Sequence, residues 1–246
     1  MSALPFLIVS DIHLGAVPAS TEVAFRKFLQ HAREHSSGLL INGDLFDFWF
    51  EYRSVIPRAH YRVLAALRDV VEAGVPVSFV GGNHDAWADS FLRDEIGMTL
   101  LQGEAEMELA GLTCLVVHGD GVGAGDRGYR ALRWTIRHPL IVGAFRVIHP
   151  DLGSWIASRV STTEEKSAGM DAIRSRSSYI REWATERLLS RPDLDLVVAG
   201  HAHYPELLEV AAGRYYANAG DWIHNFSYLS LPGAGAPPRL LTWERE

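Results

Sequence analysis

The sequence predicts an α/β fold with helices packed outside the sheets. Short apolar runs alternate with helical patterns along most of the 246 residues. Polar, glycine-bearing loops follow the apolar runs instead of interrupting them. Hydrophobic residues are 48% and charged residues 22%, the usage of an ordinary globular chain and not of a disordered, collagen-like or coiled-coil one. A chain of this length buries about 70% or more of its unfolded surface, so it needs no covalent staples.

The elements follow in order. Residues 4–9 read as a buried strand. Residues 21–34 read as a helix, with Val23, Ala24, Phe28, Leu29 and Ala32 at helical spacing. Ser20 or Thr21 is its expected cap. A strand at 39–41 and a helix at 61–73, closed by Gly74, come next. Strands are expected at 75–80, 112–117 and 194–199, and short strands joined by Gly- and Pro-bearing turns fill 207–243. Residues 121–189 break this rhythm. They read as a mostly helical insertion, or cap, within a single domain 1–246. Inside it, residues 127–159 carry six arginines against one acid, Asp151. Trp134, Leu140, Phe145, Val147, Leu152 and Trp155 are interleaved with them.

The net charge of −7 disfavours a general nucleic-acid binder, which is normally basic. The single cysteine, Cys114, excludes an intramolecular disulfide, fits a reducing compartment and reads as a small buried hydrophobe. No signal peptide is read at the start, and no apolar run reaches the roughly 18 residues that span a bilayer. A cytoplasmic protein is expected.

Five loops carry the chemistry. They are Asp11-Ile12-His13, Gly43-Asp44-Leu45-Phe46-Asp47, Gly82-Asn83-His84-Asp85, His118-Gly119-Asp120 and Gly200-His201-Ala202-His203. Each follows an apolar run, and ligands of open α/β sheets gather beyond the carboxyl ends of strands. Oxygen and imidazole donors without thiolate suit divalent first-row metals. Alternate residues of an extended loop point the same way, so Asp-x-His and His-x-His each form a pincer. Seven donors exceed one site with open positions, but serve two ions sharing a carboxylate. Any one of these residues taken singly reads as a structural histidine or a turn aspartate; five loops together do not. His31, His35, His60, His138, His149 and His224 read as core or surface histidines, with His224 closest to the site in sequence context.

The ordered pattern DxH, GDxxD, GNH[DE], H, GHxH resembles that of the calcineurin-like metallophosphoesterases and spans Asp11 to His203. The resemblance implies a four-layer α/β/β/α sandwich with a helical cap insertion. It implies that Asp11, His13, Asp44 and His203 hold one metal and that Asp44, Asn83, His118 and His201 hold the other. It also implies that His84 faces the phosphate, as transition-state stabiliser or acid, with Asp47 orienting it. Within that family the chain is most similar to the UDP-2,3-diacylglucosamine hydrolases of lipid A synthesis, through Gly43 to Trp49, the stretch 95–98, His118-Gly119-Asp120 with Asp126 and Tyr129, and Gly200 to Pro205. That resemblance implies a manganese-dependent cleavage of an acylated UDP-sugar to UMP and a lipid 1-phosphate. Lys166, Asp126, Tyr129 and Arg58 are then candidate substrate contacts. The basic, aromatic stretch 127–159 suits an anionic membrane surface, so peripheral contact with the inner membrane is expected. Two positions depart from that pattern. The best-known members carry Arg where this chain has His84 and Glu where it has Asp47, while a related branch keeps the His. A histidine there can serve an alkoxide leaving group, which leaves a soluble phosphodiesterase or phosphatase acting on small nucleotides as the alternative.

Overall fold

The computed structural model describes residues 4–122, 138–161, 170–233 and 235–244. The elements run β1 (Phe6–Val9), α1 (Ala19–His35), β2 (Gly38–Asn42), α2 (Tyr61–Glu72), β3 (Val77–Val80), a π-helical turn (Phe91–Ile96), β4 (Thr99–Leu101), β5 (Ala105–Leu109) and β6 (Leu112–Val116). They continue with α3 (Pro139–Phe145), α4 (Pro150–Ser161), α5 (Met170–Ser190), β7 (Leu196–Ala199), β8 (Glu206–Ala211), β9 (Arg214–Asn218), β10 (Ser227–Leu231) and β11 (Arg239–Thr242). One sheet has the order β11-β10-β1-β2-β3-β4 and the other β5-β6-β7-β9-β8. Strands β1 to β4 are mutually parallel. So are β6, β7 and β9.

Alternation along the strands makes the layers. Leu7 and Val9 face one way, with Leu39 and Ile41, against Phe25, Phe28, Val63 and Leu67 of α1 and α2. Ile8, Leu40 and Val80 face the other way and meet Cys114, Val116 and Val198 of the second sheet. The far face of that sheet, with Leu115, Val197 and Tyr216, takes Ile180, Ala184 and Leu188 of α5. This is an α/β/β/α sandwich, as the sequence led us to expect. Strands buried on both faces read as continuous apolar runs for this reason. Helix α5, which runs one residue past the stretch 121–189, forms an outer layer of the sandwich. Phe145, at the end of α3, packs with ring centroids 4.5 Å from Phe50 and 5.1 Å from Trp87.

Two local expectations are corrected. Helix α1 starts at Ala19 after Pro18 and has no side-chain cap, so neither Ser20 nor Thr21 caps it. The Pro18 carbonyl accepts from the Thr21 amide at 2.9 Å, which satisfies a first-turn donor without a side chain. Strands β4 and β5 were not read from the sequence. The first has three residues, and the second alternates Glu106 and Glu108 outward at a sheet edge. Cys114 is the buried residue the sequence led us to expect, and burial pushes its thiol up to about 12, which keeps it unreactive.

His60 is buried with its ring 4.6 Å from that of Phe46, and burial lowers its pKa from 6.5 to about 4. The unfolded chain therefore binds a proton more readily than the fold below about pH 6.5. The stability this neutral imidazole contributes is complete above 6.5 and is lost as pH falls towards 4. Urea unfolding at pH 7 and 4.5 should show His60→Leu losing about 2 kcal/mol less on acidification than the parent chain. Equal losses in the two proteins would refute this.

Candidate metal centre

The five loops leave the carboxyl ends of β1, β2 and β3 in one sheet and of β6 and β7 in the other. Backbone hydrogen bonds hold them in register. The Asp11 amide donates to the Gly43 carbonyl at 3.0 Å, and the His13 amide to the Asp44 carbonyl at 2.9 Å. The Gly200 amide donates to the His118 carbonyl at 2.7 Å. The two sheets are tied across the gap where the His201 amide donates to the Asp11 carboxylate at 2.9 Å.

Three groups of side chains converge there, each with donor atoms within 4.8 Å of one another: Asp11, His13 and His203; His13, Asp44 and His84; Asp44, His118 and His201. Asp11 Oδ1 lies 3.3 Å from His203 Nε2. Asp44 Oδ2 lies 3.7 Å from His13 Nε2 and 3.1 Å from His118 Nε2, so this carboxylate stands between the sets. Seven non-glycine residues among those described have positive φ, and Asp11, His13, Asp44, His201 and His203 are five of them, at 51–62°. Such strain in non-glycine residues concentrates at functional sites, where the surroundings over-determine the backbone.

The donor set fits a divalent cation. His118 Nδ1 donates to the Asn42 carbonyl at 2.8 Å, which aims Nε2 at Asp44, the arrangement typical of a ligating histidine. The side-chain oxygen of Asn83 is buried with no hydrogen-bond partner among the described residues. Burial would raise Asp11, but His203, His13 and His118 outweigh it and hold the carboxyl at about 2. Burial likewise opposes ionisation of Asp44, yet His118 and His84 hold it well below the usual carboxylate range. His118 is pulled down by burial and raised more strongly by Asp44, ending well above its ordinary value. His201 is lowered by burial and then by His118, so it is held neutral. The edge is thus built to hold positive charge at its centre with ionised carboxylates around it.

The sequence did not show what holds the loops. Asp85 accepts from the Leu45 amide at 2.7 Å, the Asp44 amide at 3.3 Å and the Gly82 amide at 2.8 Å, clamping two loops together. Burial and the Asp44 charge raise its pKa to about 6. Its place directly after His84 was the available signal. Asn42 is a second organiser, its side-chain amide donating to the Val117 carbonyl at 2.9 Å.

The other expected residues are placed as follows. His84 Nδ1 donates to the main-chain carbonyl of Asp47 at 2.7 Å, whereas the Asp47 carboxylate lies at 3.9 Å. The closer orienting contact is the backbone, because the tight loop turns that carbonyl inward. Arg58 is exposed on the turn Arg58–His60. Asp126, Tyr129 and Lys166, with the arginines at 127, 130, 133 and 137, lie outside the described residues. The backbone amide of His224 donates to Asp221 at 2.6 Å.

Comparison with known proteins gives this edge its class, that of metal-dependent phosphoester hydrolases. The chain belongs to the calcineurin-like phosphoesterase family, which matches residues 4–205. That family implies divalent metal ions. Proteins named UDP-2,3-diacylglucosamine hydrolase are similar over nearly the whole chain. One from Porphyromonas gingivalis is 29% identical, covering 91% of this chain and 92% of its own. One from Enterobacter sp. is 30% identical, covering 93% and 95%. Among solved structures, Vacuolar Protein Sorting 29 from Cryptosporidium parvum has a TM-score of 0.49 at 14% identity, with 98% of this chain and 97% of that one covered. A dimetal phosphatase from Danio rerio has a TM-score of 0.49 at 14% identity, with 99% and 100% covered.

Proposed function

We propose that the protein cleaves the pyrophosphate of UDP-2,3-diacylglucosamine to UMP and 2,3-diacylglucosamine 1-phosphate, using two divalent ions, manganese first among them. The observation that carries this is similarity to hydrolases of that name over 91% and 93% of the chain. Asp11, His13, Asp44 and His203 would hold one ion; Asp44, Asn83, His118 and His201 would hold the other. Bound there, such ions lower the pKa of water and neutralise phosphoryl charge.

The chain's own residues do the rest. Asp44 brings the two sets of donors together. With Nδ1 committed to the Asp47 carbonyl, His84 meets the phosphoryl group through Nε2 and hands a proton to the leaving oxygen. His84→Ala should lower kcat about 10²–10⁴-fold on a poor, alkoxide-like leaving group. The loss should be much smaller on bis-p-nitrophenyl phosphate, whose leaving group needs no proton. Equal losses on both would remove the acid role.

Leu140, Val147, Leu152 and Trp155 are exposed on and beside α3 and α4, with Arg146 among them. These side chains belong to the proposed cap 121–189 and supply apolar and basic groups for acyl chains at an anionic leaflet. No helix among the described residues is long and apolar enough to cross a membrane. A cytoplasmic protein held peripherally at the inner membrane is the matching location.

The manganese-loaded protein, given UDP-2,3-diacylglucosamine in mixed micelles, should release UMP, and His118→Ala should abolish it. Hydrolysis of bis-p-nitrophenyl phosphate without UMP release would overturn the lipid substrate and favour a soluble phosphodiesterase, a reading His84 supports as an acid for simple esters.

A further inference from the structure

Beside the metal centre the fold leaves a second feature with chemistry of its own. A cavity of about 330 Å³ opens where β6 and α5 meet the loops after β3 and β4. That volume is at the lower end of the roughly 300–1,000 Å³ of small-molecule sites. His118 forms part of its wall, so the cavity adjoins the metal edge.

The rest of the wall is selective. Asp120, which is buried, and Glu104, which is exposed, contribute carboxylates. Ionised carboxylates only accept hydrogen bonds. They therefore repel further phosphate and welcome hydroxyl and N–H donors, as an acidic residue does for a ribose. Trp183 supplies an aromatic wall. Its indole is half-buried against the α5 core, and the Arg187 guanidinium lies 5.3 Å from the ring centroid, which limits its rotamers. Gly81 and Gly103 complete the wall without side chains. A Cβ at Gly103 would meet nothing within 4 Å among the described residues.

We infer that this cavity is the nucleoside subsite, with the base against Trp183 and the sugar hydroxyls donating to Asp120 and Glu104. The inference deepens the proposed function and rests on it for the identity of the nucleotide. A phosphate takes the metal edge, and its nucleoside turns towards α5.

The test uses the manganese-loaded full chain, with UMP and inorganic phosphate as inhibitors of bis-p-nitrophenyl phosphate hydrolysis. UMP should bind tighter than phosphate to the parent protein. Trp183→Ala should raise the UMP inhibition constant about tenfold, the scale of a lost base–aromatic stack. The phosphate constant should move far less. Trp183→Phe should recover most of the loss. Glu104→Gln, at an exposed position, should weaken UMP selectively and carries the test if Trp183→Ala does not fold. UMP no tighter than phosphate, or both constants moving together, would overturn the subsite. UMP release from the lipid substrate is assayed in parallel. If the parent releases none yet Trp183→Ala loses UMP inhibition, the lipid reading fails and the subsite stands. If the parent releases UMP and Trp183→Ala inhibits unchanged, the subsite fails and the reading stands.

Discussion

Replacing Asp44 with alanine should cut kcat/KM by about a thousandfold or more on both the lipid substrate and bis-p-nitrophenyl phosphate. On the proposed two-ion reading, bound metal should fall from two ions per chain to at most one. The reason lies in where this carboxylate stands. It belongs to two of the three donor groups and has His13 Nε2 at 3.7 Å and His118 Nε2 at 3.1 Å. Its other oxygen accepts from the His84 amide at 3.0 Å, so it also positions the loop that carries His84. Asp44→Asn keeps the size and loses the charge. Because the buried imidazoles hold Asp44 ionised, the asparagine variant should lose activity almost as fully as alanine. Metal content by elemental analysis, together with a far-UV spectrum to show an intact fold, decides the matter. Two ions still bound, with activity within tenfold, would remove Asp44 from the centre.

Gly82→Ala should have nearly as large an effect, for a different reason. A Cβ at Gly82 would run into the Asp44 carboxylate and the Asp44 backbone amide, and the amide is held by Asp85. The backbone cannot give without stretching the Gly82 amide bond to Asp85, now 2.8 Å. Overpacking of this kind costs about 1–3 kcal/mol, or roughly 2–10 °C in Tm for a chain of this size. Activity should fall about a hundredfold, because relieving the overlap moves the donor positions set by the clamp by about 1 Å. Gly74→Ala is the control. Its Cβ would meet nothing within 4 Å among the described residues, yet φ is +86°, so it should cost stability alone. Gly82→Ala with full activity would show that the clamp tolerates displacement.

Much of this was legible in the chain. The parallel strands announced themselves because both their faces are buried, so Leu7, Ile8 and Val9 are all apolar though they face different layers. The five loops were visible because each is a short contiguous motif after such a run. Other parts were not. The clamp by Asp85 joins residues 40 and 41 positions apart. The Asn42 carbonyl that aims His118 is 76 positions away. The orienting contact to His84 comes from the Asp47 main chain, and a main-chain carbonyl has no signature in a sequence. The first turn of α1 is satisfied by a proline carbonyl where side-chain caps were the local expectation.

The amino-acid sequence alone was enough for the α/β class, the buried cysteine and the donor types offered by five loops, because these depend on local periodicity and on the chemistry of single side chains. The packing of the two sheets added that the loops come from different sheets, that Asp85 and the Asn42 carbonyl hold the donors in place, and that a cavity walled by His118 and Trp183 adjoins them. Those relations come from strand order and sheet packing, which bring together residues remote in the chain, and no window of sequence contains them.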